Sequence, residues 1–216
     1  MTGRRRALRC VVAALACMPM VAARAQGDGF GLAQLTQLLA QVKSGEATFT
    51  EKRTVSVLER TLDSSGRLSF EAPDTFVRET LKPRRERMAV VGNTVTLSLG
   101  ERSRSMALDS VPEAGVIVEA IRGTLTGNRD ALERHFKTSV SGNANAWSLE
   151  LVPRDPRLRE QVASVRVAGV RSLVNEVVVS MPDGDRSVMN IAPLPAPAPA
   201  PTPVPTPARG ASAPGG

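Results

Sequence analysis

The sequence predicts an α+β fold in which about ten or eleven antiparallel strands form one large curved sheet, with a helix before it and helices inserted in it. Apolar and polar residues alternate over many short segments, which is typical of half-buried strands. The connections between these segments are too short for parallel crossovers, so consecutive strands must form antiparallel hairpins. A sheet of this size in a domain of residues 26–192 has to curl.

The first part of the domain is predicted to be a helix followed by a meander of strands. Leucines recur at helical spacing from Gly31 to Lys43, which predicts an amphipathic helix. The period then changes to two from Phe49 to Val57, and a turn is predicted at Asp63-Ser64-Ser65-Gly66. Further strands are predicted over residues 67–70, 75–81, 85–91, 94–99 and 103–108.

The second part is predicted to begin with helices and return to strands. Apolar residues share one face from Pro112 to Leu125, which predicts a helix, and a short helix is predicted from Arg129 to Phe136. Pro182-Asp183-Gly184-Asp185 is a hairpin turn signal. The strands of this part are predicted over residues 146–153, 162–168, 173–181 and 186–191.

Two kinds of interior agree with this pattern. Helices inserted in mid-chain are the natural cover for the concave face of a curled sheet, which leaves room for a hollow. The same elements also suit an α+β sandwich with a solid core. Periodicity alone favours the solid core.

The two ends of the chain differ in composition from the domain between them. Four arginines precede an apolar run from Cys10 to Ala23, and Ala23-Arg24-Ala25 suits a signal peptidase, so residues 1–25 are predicted to be a cleaved signal peptide. The apolar run is too short to span a bilayer. An alternative interpretation makes Cys17 a lipidated first residue. Residues 193–216 hold nine of the 16 prolines, which predicts a disordered, extended Pro/Ala-rich tail.

The surplus of positive charge belongs mostly to the predicted signal peptide. It holds five of the 28 basic residues and none of the 21 acidic ones, so the mature chain carries 23 minus 21, a net charge of +2. This balance argues against nucleic acid as a partner. Both cysteines, Cys10 and Cys17, also lie in the signal peptide, so the mature protein has no thiol for a disulfide or a soft metal site.

No pattern of residues indicates catalysis. The one histidine, His135, is predicted near the end of a short helix, where it complements the helix dipole. One histidine, no mature cysteine and scattered carboxylates give no metal-ligand spacing, and hairpin chemistry explains Asp183 and Asp185 without calcium. Trp147 is the only tryptophan, so apolar contacts come mainly from aliphatic side chains, which suit acyl chains and an ordinary core equally. We therefore predict a protein that is not an enzyme and holds no cofactor or metal.

Several segments resemble a known family in their order and spacing. LolA-type periplasmic lipoprotein carriers open with an F-T-Q-K-like strand, a G-x-L strand, a Pro-containing turn and a Phe-led strand. The residues that resemble this opening are Phe49-Thr50-Glu51-Lys52-Arg53, Gly66-Arg67-Leu68-Ser69-Phe70 and Pro73-Asp74-Thr75-Phe76. The similarity continues through Lys82-Pro83, the hairpin from Val90 to Val95 and the strand from Trp147 to Pro153, and covers most of residues 30–191.

This resemblance implies a half-open antiparallel barrel closed by a lid of helices, which favours the hollow interior. It also implies a monomeric periplasmic carrier that shields the acyl chains of lipoproteins, or of a specialised lipid or glycolipid, between an inner-membrane exporter and an outer-membrane receptor. A binding module that senses lipid or protein and regulates an envelope-stress partner is the alternative. A lipid hydrolase would need a nucleophile and a base that the sequence does not offer.

The residues that would form the site follow from the same resemblance. Ala72 stands where family members have an arginine that latches the lid, and Arg78 stands where they have a tryptophan, so the chain resembles a divergent branch. Polar contacts to the lid would need another donor, such as Arg53 or Arg78. The lipid-binding lining is predicted to be apolar and to consist of Leu68, Phe70, Val90, Val95, Leu97, Leu99, Ile117, Ile121, Trp147, Leu149, Leu151, Val177 and Val179.

Overall fold

A computed structural model of the chain describes residues 29–58 and 60–194. The predicted signal peptide lies outside the described residues, and so does the predicted tail from residue 195 onward. The helices are α1 (Leu32–Leu39), α2 (Pro112–Leu125), α3 (Arg129–His135) and α4 (Pro156–Arg159). The strands are β1 (Ser44–Val55), β2 (Arg60–Glu71), β3 (Thr75–Lys82), β4 (Glu86–Val91), β5 (Thr94–Leu99), β6 (Arg102–Ala107), β7 (Phe136–Asn143), β8 (Ala146–Pro153), β9 (Ser164–Val170), β10 (Leu173–Ser180) and β11 (Arg186–Pro193).

All eleven strands belong to one sheet, in the order β6-β5-β4-β3-β2-β1-β11-β10-β9-β8-β7. Neighbouring strands are antiparallel throughout. The edges are β6 and β7, so the sheet does not close on itself, and α2 and α3 lie between these two strands in the chain. The predicted α+β class, with its open antiparallel sheet, N-terminal helix and inserted helices, is confirmed.

The helices begin where local chemistry allows them to begin. Pro112 occupies the first turn of α2, where its missing N–H costs no hydrogen bond. Asn128 precedes α3, and its side chain accepts a hydrogen bond of 3.0 Å from the backbone N–H of Ala131. His135 is the last residue of α3, at the helix end where it was expected.

The turn predicted at Asp63 to Gly66 is wrong. These residues lie inside β2 and pair with residues 49–52 of β1. Gly66 is required because a Cβ there would lie 1.9 Å from the carbonyl oxygen of Glu79 on β3. The pairing of β2 with β3 also shifts register between Ser65 and Gly66. A composition that is typical of a turn therefore marks a bulge and a close approach of two strands.

Strand β7 lies in a segment for which no strand was predicted. Phe136 is its only buried residue, and the strand forms an edge of the sheet. It is held by its pairing with β8, because its own apolar alternation is weak. At the other end of the domain, Pro193 pairs with Ala47, so the first residue of the predicted tail belongs to the sheet.

The interior contains two separate packed clusters. The larger cluster joins α1, α2 and α3 to the strands from β7 to β10, and the smaller one joins α2 to β4 and β5. The larger consists of Leu35, Leu39, Val116, Ala120, Leu132, Phe136, Trp147, Leu149, Leu151, Val162, Val165, Val167, Val177 and Val179. The smaller consists of Val90, Val95, Leu108 and Val118. Because α2 contributes to both clusters, it spans the concave face of the sheet.

Candidate functional site

A cavity of about 550 Å³ lies between the concave face of the sheet and α2. Its volume is within the range of roughly 300–1,000 Å³ that is typical of small-molecule sites. Glu46 and Arg53, both exposed, also line it, so the cavity is not sealed from solvent. The apolar part of its wall includes Val42, Ala47, Leu68, Phe70, Phe76, Met88, Val90, Ala114, Ile117, Val118, Ile121, Leu125, Val167, Leu173, Val174, Val177, Val179, Met181, Met189 and Ile191.

The position of the cavity follows from the directions of the side chains on α2. Successive residues of a helix are rotated by about 100° around its axis. Val116 and Ala120 join the larger cluster and Val118 joins the smaller one. Ile117 and Ile121 lie between these directions, over the cavity, and remain only half-buried. The interior is therefore neither solid nor entirely hollow, because two packed clusters flank an open space.

The structure places seven of the thirteen predicted lining residues on the cavity wall. These are Leu68, Phe70, Val90, Ile117, Ile121, Val177 and Val179. Leu97 is paired across the strands with Met88, so it lies on the concave face, but both Leu97 and Leu99 are beyond the cavity and about half exposed. The remaining four, Val95, Trp147, Leu149 and Leu151, are buried in the two packed clusters and do not line the cavity. Lipid contact at any of the thirteen stays a prediction.

Trp147 shows why a residue on the correct face is not in the cavity. Its indole N–H donates a hydrogen bond of 2.8 Å to the carbonyl oxygen of Arg171, and the side chain is buried. Its ring lies directly over Gly169, where a Cβ would come within 2.4 Å of a ring carbon. The glycine leaves space for the ring, so the tryptophan fills the larger cluster.

A carboxylate on the cavity wall joins four neighbouring strands. Glu51 of β1 accepts hydrogen bonds from Arg78 of β3 at 2.5 Å, from Ser187 of β11 at 2.5 Å and from Ser64 of β2 at 2.9 Å. The Arg78 guanidinium also lies 4.7 Å from the centre of the Phe49 ring. Burial alone would raise the pKa of Glu51, but the charge of Arg78 and the donated hydrogen bonds outweigh it and lower the pKa below its usual value.

Arg53 takes part in a second polar contact near the β10–β11 hairpin. Its guanidinium lies 3.7 Å from the carboxylate of Asp185. The backbone N–H of Ser56 donates to that carboxylate at 2.8 Å, and this bond is the main reason why the pKa of Asp185 is lowered. Asp183 accepts from the backbone N–H of Asp185 at 3.0 Å, which is the hairpin chemistry expected of these two aspartates.

Helix α2, which covers the cavity and is called the lid helix below, is hydrogen-bonded to the sheet through one of its own side chains. Arg122 of α2 donates a hydrogen bond of 2.6 Å to the carbonyl oxygen of Gly92, in the β4–β5 turn, and pairs with Glu119 at 2.6 Å. Its Nε is buried and has no partner among the described residues. Arg53 and Arg78, the donors expected to reach the lid, are instead engaged within the sheet.

Two polar residues of this site were not among the predicted site residues. Glu51 occupies the place of the glutamine in the F-T-Q-K-like strand, so its position offered a signal. No sequence signal indicated Arg122, because arginines are common on the surface of the last turns of helices.

No helix in the described part of the chain is both long enough and apolar enough to cross a membrane. Within residues 29–58 and 60–194, no three potential metal-ligating side chains come together.

Solved structures with a similar outline include three that share little sequence with this chain. A LolA superfamily protein from Nitrosomonas europaea is 7% identical, with a TM-score of 0.41 over 75% of this chain and 91% of that one. The MucA/MucB complex of Pseudomonas aeruginosa is 16% identical, with a TM-score of 0.41 over 76% of this chain and 58% of that one. The lipoprotein LppX of Mycobacterium tuberculosis is 9% identical, with a TM-score of 0.39 over 74% of this chain and 92% of that one.

The family assignment depends on the sequence. No curated protein sequence matches this chain. Residues 23–188, however, match the model of a family described as outer membrane lipoprotein carrier protein LolA-like. This match spans far more than half of the chain, includes β1 to β10 in full and ends within β11. The chain therefore belongs to this LolA-like family.

Proposed function

We propose that this protein is a periplasmic carrier which shields the acyl chains of a lipoprotein, or of a specialised lipid, in the cavity under α2. The cleavage of residues 1–25 as a signal peptide and the exchange of cargo between an inner-membrane exporter and an outer-membrane receptor belong to the same proposal. It assigns no catalytic step and no cofactor to the chain.

The supporting observation is an apolar cavity under a helix that leaves two isoleucines half-buried. Ile117 contacts the edge of the larger cluster, but both it and Ile121 face the open space and stay half-buried, whereas an ordinary core would bury them fully. On the wall opposite α2, apolar side chains of β1–β4 and β9–β11 face the same space. Glu51 and Arg78, which are polar residues of the same wall, are paired with each other, and the apolar surface around them suits acyl chains that require only exclusion from water.

The energetics of transfer also favour a carrier of this design. Removing an acyl chain of about fourteen methylenes from water is worth on the order of 10 kcal/mol. A bilayer provides the same gain, so movement of the chain between membrane and protein is close to balance. An unsealed apolar cavity therefore binds the chain strongly against water while still releasing it to another apolar site.

A charge placed on the lid tests this function. We expect Ile121→Asp to weaken the binding of a fluorescent long-chain fatty acid by at least about tenfold, because the carboxylate would have to be buried beside the chain or keep water in the cavity. Fluorescence titration measures the affinity, and native mass spectrometry of the purified protein identifies any co-purified lipid.

Val57→Asp is the matched control, because Val57 is 84% exposed and outside the cavity wall. It introduces the same charge and should bind the fatty acid as the native protein does. Circular dichroism checks that both variants fold. Native protein that binds neither fatty acid nor dispersed phospholipid would overturn the proposal, and capture of a membrane-bound regulator without lipid would favour the sensing module.

A further inference from the structure

A second hollow, of about 510 Å³, lies next to the cavity on the face formed by β3 to β6. Arg78 and Met88 line both spaces, so the two are adjacent. Helix α2 covers the cavity but not this second hollow, because it packs over Val95 of β5 and not over the next two inward-facing residues of that strand. Those residues, Leu97 and Leu99, are 46% and 43% exposed. The hollow therefore has an apolar floor that the fold leaves uncovered.

Two arginines lie beside this floor. Arg104 is directly opposite Leu97, and Arg102 is directly opposite Leu99, on the neighbouring strand β6. Arg87 of β4 also touches the hollow, but it is opposite Ser98, so its side chain extends from the other side of the sheet. Directly opposed residues of antiparallel strands share a face, so Arg102 and Arg104 extend from the same side of the sheet as the two leucines.

The positive charge of the hollow is not balanced within the described part of the chain. Arg102 and Arg104 are exposed, and none of the ion pairs found there includes them. Glu86 is the one acidic residue on the wall of the hollow, and it is paired with Arg84 at 2.8 Å. Arg102 and Arg104, two residues apart on the same face of β6, therefore create a local field that attracts anions.

An apolar floor beside unbalanced arginines suits an amphiphile with an anionic headgroup. Arginine binds the oxygens of phosphate or carboxylate through strong charge-assisted hydrogen bonds. A free inorganic anion would leave Leu97 and Leu99 in water, whereas the glycerol and first methylenes of a lipid would cover them. A zwitterionic headgroup would bring a cation to the arginines and lose most of the attraction.

We propose that this hollow, with Arg102 and Arg104 beside its apolar floor, binds the anionic headgroup of a lipid whose acyl chains lie in the cavity under α2. The inference rests on the proposed function, which supplies the site for the chains. It adds a preference that the apolar cavity cannot produce by itself: the cargo carries a phosphate or carboxylate near its glycerol or sugar.

The test compares two short-chain phospholipids with identical acyl chains, dispersed as monomers, by isothermal titration calorimetry at low ionic strength. We expect phosphatidylglycerol to bind about tenfold more tightly than phosphatidylcholine, and the difference to shrink in salt. Glycerol 3-phosphate supplies the headgroup without chains and should bind far more weakly than phosphatidylglycerol. Glycerol 3-phosphate that binds equally well would assign the site to a free anion and overturn the inference.

The double variant Arg102→Ala/Arg104→Ala should lose the preference and bind both phospholipids about equally, with its affinity for phosphatidylcholine unchanged. Arg67→Ala/Arg134→Ala is the charge-matched control, because both arginines are exposed and neither lines the hollow or the cavity. It should keep the preference. A preference that survives in the first double variant, or is absent from the native protein while both lipids bind, overturns the headgroup site and leaves the carrier function standing. If neither lipid binds, both fail.

Discussion

Among single residues, Glu51 and Arg78 together replace two side chains of the LolA-type pattern. Glu51 stands at the glutamine of the F-T-Q-K-like strand, and Arg78 stands where a tryptophan is expected. The arginine keeps a contact with an aromatic ring, because it lies over Phe49, and the glutamate neutralises its charge. The two departures are therefore coupled, since either residue alone would leave a partly buried charge without a partner.

We expect Glu51→Gln to lower the free energy of unfolding by about 2 kcal/mol at neutral pH, because Arg78 loses its ionised partner. The pKa of Glu51 is lower in the folded protein than in the unfolded chain, so this contribution is complete above about pH 4.3 and is lost as the pH falls through the folded-state pKa. Native protein and variant should therefore converge in strongly acid solution. Urea unfolding at neutral pH and near pH 2.5 measures both differences.

Glu101→Gln serves as the control for this substitution, because Glu101 lies in the exposed turn between β5 and β6. It should change the free energy of unfolding by less than about 0.5 kcal/mol at either pH. A stability gap for Glu51→Gln that stayed constant down to low pH would mean that the ionised carboxylate is not what stabilises the cluster.

At the level of elements, the sequence allowed the class and position of most helices and strands to be predicted, because periods of two and 3.6 are distinct. The failures have physical causes. Asp63 to Gly66 has the composition of a turn. The glycine at position 66 is needed because the carbonyl oxygen of Glu79 on another strand lies too close for a Cβ, and no local pattern reveals that contact. Strand β7 is held by β8 rather than by its own apolar residues.

The hydrogen bond that attaches α2 to the sheet should affect how fast a bound acyl chain is released. Arg122→Ala removes the hydrogen bond to the carbonyl oxygen of Gly92, which holds the lid helix to the β4–β5 turn. A hydrogen bond from a charged donor is worth about 1.5 kcal/mol or more, so we expect a bound fluorescent fatty acid to leave the cavity about tenfold faster. Stopped-flow release into excess vesicles measures this rate.

Arg129→Ala is the matched control for the lid. Arg129 forms an exposed ion pair with Glu133 within α3 and has no described contact with the β4–β5 turn. Its removal should leave the release rate unchanged, because exposed ion pairs contribute little. Equal release rates in native protein and Arg122→Ala would show that the packing of α2, and not this hydrogen bond, retains the chain.

For the whole molecule, the arrangement of two packed clusters around a cavity explains how much of the site could be predicted. Strand alternation identifies the concave face, and Leu68 and Val177 of that face lie on the cavity wall. It cannot tell which part of the face α2 covers tightly, which part it covers loosely and which part it leaves open. Leu149 and Leu97 therefore share a pattern with cavity residues but lie in the core and in the second hollow.

This division predicts that stability and binding can be changed separately. Leu149 is fully buried in the larger cluster, so Leu149→Ala should lower the free energy of unfolding by about 3 kcal/mol and leave the affinity of the folded protein for a fluorescent fatty acid unchanged. Leu68 already faces the cavity, so Leu68→Ala should cost only about 1 kcal/mol, because it enlarges an existing space, but weaken binding severalfold. Urea unfolding and fluorescence titration of the two variants separate these effects. The reverse result, with Leu149→Ala reducing affinity and Leu68→Ala only stability, would place the chains among β7 to β9 and not under α2.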